Sequence, residues 1–228
     1  HQEARRQRQM CIRDSYNMKG VKQDPEWHPE GDVWEHTKHV VDAAATLAHK
    51  FDEKDRLTLV FAALLHDVGK ATTTVFKDGR WRAPDHANAG VPIAQEFLSS
   101  IGAPGWLVDS VLPLVKEHMV HIGLDEPTDR VVRRLSVRLG SASVAMLRDL
   151  VYADNAGRPP LPTRDPMASW VRRAQALAVI DSQPSRILMG RHLIELDVIP
   201  GPRMGTILNE AYEAQLDGEF EDLEGAIA

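Results

Sequence analysis

Cysteine occurs once in the 228 residues, at Cys11, so no disulfide can form within the chain. No apolar run approaches the roughly 20 residues that cross a bilayer, and no signal-peptide pattern is visible. Both absences fit a cytoplasmic protein. No internal repeat is evident. Residues 205–228 carry seven acids and neither Lys nor Arg. The opposite bias marks residues 1–20, with five Lys/Arg against two acids, and residues 130–173, with nine Arg against three acids. The net charge of −6 conceals this unevenness. An Arg-rich middle can attract phosphate-bearing ligands, or it can simply be a set of solvated helix faces. At 43% hydrophobic residues the chain can build one large core, or one core with a small appendage.

Apolar spacing divides what is present mainly into helices. Residues 1–23 lack periodicity and read as a basic tail, disordered or incidental. Asp32 reads as the N-cap of a helix that places Val33, His36, Val40, Ala43, Ala44 and Leu47 on one face. His39 is a weaker inward candidate, and His28 and His49 read as loop and helix-end residues. A second helix over about 54–68 carries Leu57, Val60, Phe61, Leu64 and Leu65 into His66-Asp67, with Gly69 as its stop. The Asp78-Gly79 pair between β-branched and aromatic residues predicts one short hairpin, the only strand structure expected. Asp85 can cap a third helix to about Ser100, with His86 in its first turn. Pro104 opens a fourth, which lines up Leu107, Val111, Leu114, Val115 and His118, with His121 a turn beyond. Thr128 can cap an Arg-bearing fifth. A sixth runs from about Ser141 to Asp154, before a Pro-rich linker over 157–166. Further helices follow over about 166–180, 190–197 and 203–217. The expectation is an all-α bundle over 24–160 with a helical C-terminal extension over 161–228.

A histidine and a carboxylate at the buried end of an apolar helix are costly unless partnered. A core His–Asp hydrogen bond would serve, and so would a divalent cation, for which His plus Asp is a suitable ligand set. The pattern recurs. His36, His66, Asp67 and Asp154 could hold one ion. Asp67 could bridge to a second held by His86 and His118, and such a pair would activate a water for attack at phosphorus. Each histidine alone could equally be a polar core or surface residue.

The order His36, His66-Asp67, Asp154 resembles the H…HD…D signature of the HD superfamily of metal-dependent phosphohydrolases. Longer motifs sharpen the likeness. Residues 26–37, His66-Asp67-Val68-Gly69-Lys70, His86-Ala87-Asn88-Ala89-Gly90, Lys116-Glu117-His118 and Ala153–Arg158 are similar to the HD domain of bacterial CCA-adding tRNA nucleotidyltransferases. Residues 201–218 are similar to the C-terminal region of those enzymes. The nucleotidyltransferase head of that family needs a paired Asp-x-Asp, and no two aspartates here are separated by one residue. CCA addition is therefore not expected of these residues. They read as the HD portion of a longer protein or as a stand-alone relative.

The resemblance implies an HD helical bundle and a phosphodiesterase or phosphatase acting on 2′,3′-cyclic or 2′-phosphate ends of nucleotides or RNA. It implies one or two divalent ions (Mn, Fe, Co, Ni, Zn or Mg) on His36, His66, Asp67, His86, His118 and Asp154. Lys70 and Arg158, each close behind a ligand, are the candidates to hold substrate phosphate. The rival readings are an HD-type nucleotidase or dNTP triphosphohydrolase, and a non-catalytic module that binds tRNA or other RNA through the Arg-rich segment. No membrane partner is expected.

Overall fold

The structure is a computed structural model that describes residues 17–228. Residues 1–16 of the expected tail lie outside the described residues. Residues 17–23 are not a tail. Met18 is buried and receives the Thr37 hydroxyl at 3.8 Å, and Val33 N donates to Val21 O at 3.1 Å. The described residues form a helical bundle with one two-stranded hairpin.

The first helix, α1, spans Val33–Leu47 and starts where the Asp32 carboxylate accepts from Glu35 N at 2.9 Å. Asp52 caps α2, Glu53–Leu65, in the same way. This helix ends at Leu65, so His66, Asp67 and Gly69 belong to a turn and not to the helix itself. Gly69 has an ordinary φ of −66° and is no left-handed stop. A Cβ there would lie 2.1 Å from His86 O and 2.6 Å from Gly90 N, so glycine is required because two backbones touch. A single turn, α3, covers Lys70–Thr73. Strands β1, Val75–Lys77, and β2, Arg80–Arg82, then pair antiparallel around Asp78 and Gly79, both at positive φ.

Helices α4, His86–Ser100, and α5, Gly105–Glu117, pack together, and α2 sits between α5 and α1. Asp85 precedes α4 in the left-handed region and bonds the Asn88 side chain instead of capping the helix. Thr128 caps α6, Asp129–Leu139, and Ser143 caps α7, Val144–Ala156, which packs on α1 and α2. The main core takes Val40, Ala44, Leu59, Ala62, Leu114, Val115, Leu147 and Leu150, and continues into Trp170 and Ala174 of α8, Ala168–Ala176. Beyond it, α9, Gly190–Glu195, and α10, Pro202–Asp217, share a small separate cluster of Leu188, Leu193 and Met204. A last short helix, α11, covers Leu223–Ile227.

The Arg-rich middle is spent on internal ion pairs. Arg134 reaches Asp217 and Glu213 of α10, Arg130 also reaches Asp217, Arg138 forks onto Glu117, and Arg148 onto Asp149 and Asp165. These pairs tie α6 and α7 to their neighbours and match much of the segment's positive charge with acids.

Candidate metal centre

Five elements deliver side chains to one buried point. α1 supplies His36, the turn after α2 supplies His66 and Asp67, the start of α4 supplies His86, the end of α5 supplies His118, and α7 supplies Asp154. All six are buried. Asp67 lies at the centre and divides its two oxygens. Its Oδ2 faces His66 Nε2 at 3.3 Å and His36 Nε2 at 3.8 Å, and its Oδ1 faces His86 Nε2 at 3.2 Å and His118 Nε2 at 3.8 Å. His36 Nε2 is also 3.0 Å from Asp154 Oδ1. Two groups that could hold an ion, His36/His66/Asp67 and Asp67/His86/His118, therefore share Asp67.

The imidazole orientations test whether a metal fits. Nδ1 of His66, His86 and His118 lies 2.8, 2.9 and 2.7 Å from the carbonyl oxygens of Ala63, Ala83 and Val115. A carbonyl only accepts, so in each ring Nδ1 carries the hydrogen and, in the neutral ring, Nε2 is a bare lone pair. His86 and His118 then set two lone pairs 3.2 Å apart. His66 Nε2 is buried and has no hydrogen-bond partner among the described residues. Three converging lone pairs beside a carboxylate repel one another unless a cation or extra protons stand among them. Donor atoms about 2.0–2.2 Å from a common ion lie about 3–4 Å from one another, as these do. The donor set fits a divalent transition ion.

The charges follow from this crowding. Burial works against the Asp67 carboxylate, but its interactions with His66 and Lys70 outweigh it and hold Asp67 well below the usual carboxylate range. Asp154 is held well below it too, where burial is outweighed by the His36 hydrogen bond. Burial pulls His36 down, yet its bonds to Asp154 and Glu30 prevail and push it up to about 9. Burial, with the neighbouring His66 imidazole, pushes His118 down to about 3, which leaves it neutral and able to ligate.

His28 and Glu30 carried no periodicity signal, although both fall within the 26–37 motif. His28 lies in the turn before α1, yet its ring packs edge-on against His36 with centroids 4.7 Å apart. The Glu30 side chain is fully buried and accepts from His28 Nδ1 at 2.9 Å and His36 Nδ1 at 2.7 Å. Burial opposes its charge, but these two bonds bring Glu30 down to about 2. It fixes the His36 ring, as a partner behind a metal ligand does. His39 and His49 are exposed, and His121 is buried with Nδ1 unpartnered among the described residues.

Two clefts share Trp27 in their walls, and the first reaches the centre through His86. The first, of about 240 Å³, is lined by Lys70, His86, His28, Trp81 and Arg82. Lys70 here donates to Asp67 Oδ2 at 2.7 Å and to Gln23 Oε1 at 2.8 Å. The second, of about 300 Å³, is lined by Arg158, Arg164, Asn155 and Leu161. Arg158 bonds Asp154 O at 3.3 Å and has a guanidinium nitrogen 3.7 Å from Asp154 Oδ1.

The HD domain family matches residues 33–145, the stretch that carries five of the six central side chains. Residues 33–145 are an HD domain. The chain is 32% identical over 196 residues to the A-adding tRNA nucleotidyltransferase of Deinococcus radiodurans, covering 82% of this chain and 43% of that protein. It is 34% identical over 203 residues to the CC-adding tRNA nucleotidyltransferase of Thermus thermophilus, covering 86% of this chain and 44% of that one. A multifunctional CCA protein of Halorhodospira halophila is 38% identical over 100 residues, 44% of this chain and 22% of that protein. The chain spans less than half the length of these curated relatives. No solved structure matches it. Asp154 falls outside the matched HD stretch, and the bundle brings it to His36 nonetheless. Among the described residues no helix is long and apolar enough to cross a membrane.

Proposed function

We propose that the HD domain is a metal-dependent phosphohydrolase that opens 2′,3′-cyclic phosphates, or removes 2′-phosphates, on nucleotides or RNA ends in the cytoplasm. One observation carries this reading: three histidine Nε2 lone pairs and Asp67 converge on one buried point, with every Nδ1 already committed to a carbonyl. His36, His66, Asp67 and Asp154 would hold a first ion, and Asp67, His86 and His118 a second. A divalent ion there supplies Lewis acidity and a water activated near neutral pH.

The remaining work falls to the chain. Glu30 holds the His36 ring in place. Lys70 and Arg158 are near the centre but face different clefts, so they can hold a phosphate from two sides. Lys70 would exchange Asp67 for a phosphoryl oxygen once the carboxylate is engaged elsewhere, and Arg158 can present a planar fork. A strained cyclic diester asks little of a leaving-group acid, which suits a site with these parts. The names of the relatives make tRNA a candidate bearer of the phosphate. The pairing of Arg130, Arg134, Arg138 and Arg148 with internal acids weighs against an RNA-binding module built on that surface.

The test is to incubate protein loaded with Mn, Co, Ni or Zn with 2′,3′-cyclic AMP, 2′-AMP, 5′-AMP and dNTPs, and to identify the products by chromatography. Consumption of the cyclic diester and the 2′-phosphate supports the proposal. Preference for 5′-AMP, or release of tripolyphosphate from dNTPs, would move the substrate to the corresponding rival, and no turnover of any ester would favour the binding module.

A further inference from the structure

The β1–β2 hairpin presents a feature that the metal centre does not use. All six strand residues are exposed, and Phe76 is 61% and Trp81 36% exposed, with their rings 5.1 Å apart. Hairpins this short do not hold themselves together. This one is clasped to the turn before α1 by Arg80, which reaches Glu26 Oε2 at 2.6 Å and Asp24 Oδ2 at 3.8 Å. The residue after Arg80 is Trp81, and the residue after Glu26 is Trp27, which is 55% exposed. The clasp thus sets two solvent-facing indoles on the walls of one cleft.

That cleft opens on the centre, because Lys70 and His86 form part of its lining. Lys22 and Arg82 add positive charge, and Arg82 has only a weak pairing to Asp78 at 3.9 Å. The one acid in the lining, Asp24, accepts from Glu26 N at 3.0 Å and lies 3.8 Å from Arg80 Nε. Exposed indoles are otherwise a solubility liability. Two of them beside cations, in about 240 Å³, suit a flat aromatic group that carries negative charge and is smaller than a drug-sized ligand.

We propose that Trp27 and Trp81 form a nucleobase subsite, and that Arg80 is its positioning residue. The base of a phosphate-bearing nucleoside stacks on the indoles while its phosphate points along the cleft towards Lys70 and the centre. Stacking tolerates any base, so the subsite selects nucleosides over simple phosphate esters without choosing strongly among bases. The proposal rests on the phosphohydrolase reading for its purpose, but binding can be measured without turnover.

The experiment is calorimetric titration of chelator-treated protein with 2′,3′-cyclic AMP and with methyl riboside 2′,3′-cyclic phosphate, which lacks the base. Wild type should bind the nucleotide about 10- to 100-fold more tightly than the base-free ester. Trp81→Ala and Trp27→Ala should each remove most of that difference, and Trp81→Phe should keep much of it. Arg80→Ala should weaken nucleotide binding although it cannot touch the base, with far-UV circular dichroism confirming an intact bundle. Equal wild-type affinity for the two esters, or wild-type nucleotide binding by both Trp→Ala variants, would overturn the subsite even if the metal-loaded protein hydrolyses esters. Selective nucleotide binding that the Trp variants lose would uphold it even if no ester is turned over.

Discussion

Replacing Gly69 by alanine tests whether the centre depends on one backbone contact. The added Cβ would meet His86 O at 2.1 Å, Gly90 N at 2.6 Å and Gly90 Cα at 3.0 Å. None of these is the flexible end of a side chain. A carbon–oxygen contact settles near ~3.3 Å, so the turn carrying His66 and Asp67 must part from the start of α4 by about 1 Å. Overpacking a core typically costs about 1–3 kcal/mol, and the upper end applies where only backbone can yield. With a urea slope of about 2 kcal/mol per molar, the midpoint should fall by about 1–1.5 M. The same displacement carries His86 Nε2 away from Asp67 Oδ1, now 3.2 Å distant, so metal affinity should fall as well. Gly205→Ala is the control: it lies inside α10 with nothing within 4 Å of the added carbon, and should be neutral or stabilising by about 0.5–1 kcal/mol. Urea unfolding and metal titration of both variants decide the matter. A Gly69→Ala protein with wild-type midpoint and wild-type metal affinity would refute the reasoning.

Glu30→Ala should lower metal affinity by about 10- to 100-fold, because it removes the one oxygen, Oε1, that accepts from both His28 and His36, and a chelator competition would show it. Lys70→Ala and Arg158→Ala should each retain metal by elemental analysis while kcat falls by about 10²–10³-fold, and Arg158→Lys should recover little of it; unchanged kinetics would reduce both to structural charges. In metal-free protein, His118, down at about 3, costs stability as pH falls from its unfolded value near 6.5, and the depressed Asp67 and Asp154 add to the loss below about pH 4. His36, up at about 9, contributes stability that is present below 6.5 and lost as pH rises through 9, so urea midpoints should peak near pH 6.5 and fall on both sides.

Local signals in the sequence carried the helices well. Asp32, Asp52 and Thr128 start theirs by accepting from a backbone N–H three residues on, which is short-range chemistry that a single sequence displays. The Asp78-Gly79 turn is equally local. His36 stood out because it interrupts an apolar face. His28 and Glu30 did not, because a turn has no periodicity against which an inward side chain can be recognised. Apart from the 26–37 motif, the only available clue was the density of His and Glu just before a cap. Gly69 gave the appearance of a helix stop because the atoms that demand glycine belong to His86 and Gly90, some 20 residues away. The arginines of α6 posed the same difficulty over a longer span: Arg134 meets Asp217, 83 residues later, and nothing near either residue foretells the pair.

The crowded lone pairs around Asp67 should take up a divalent ion. Thermal unfolding of chelator-treated protein, with and without added Mn, Co, Ni or Zn, tests this directly. An ion at 100 times its dissociation constant stabilises the folded state by about 2.7 kcal/mol. The account predicts a midpoint that rises with metal concentration in the wild type and hardly moves in Asp67→Ala. A wild-type midpoint indifferent to every ion, or an equal rise in Asp67→Ala, would contradict it.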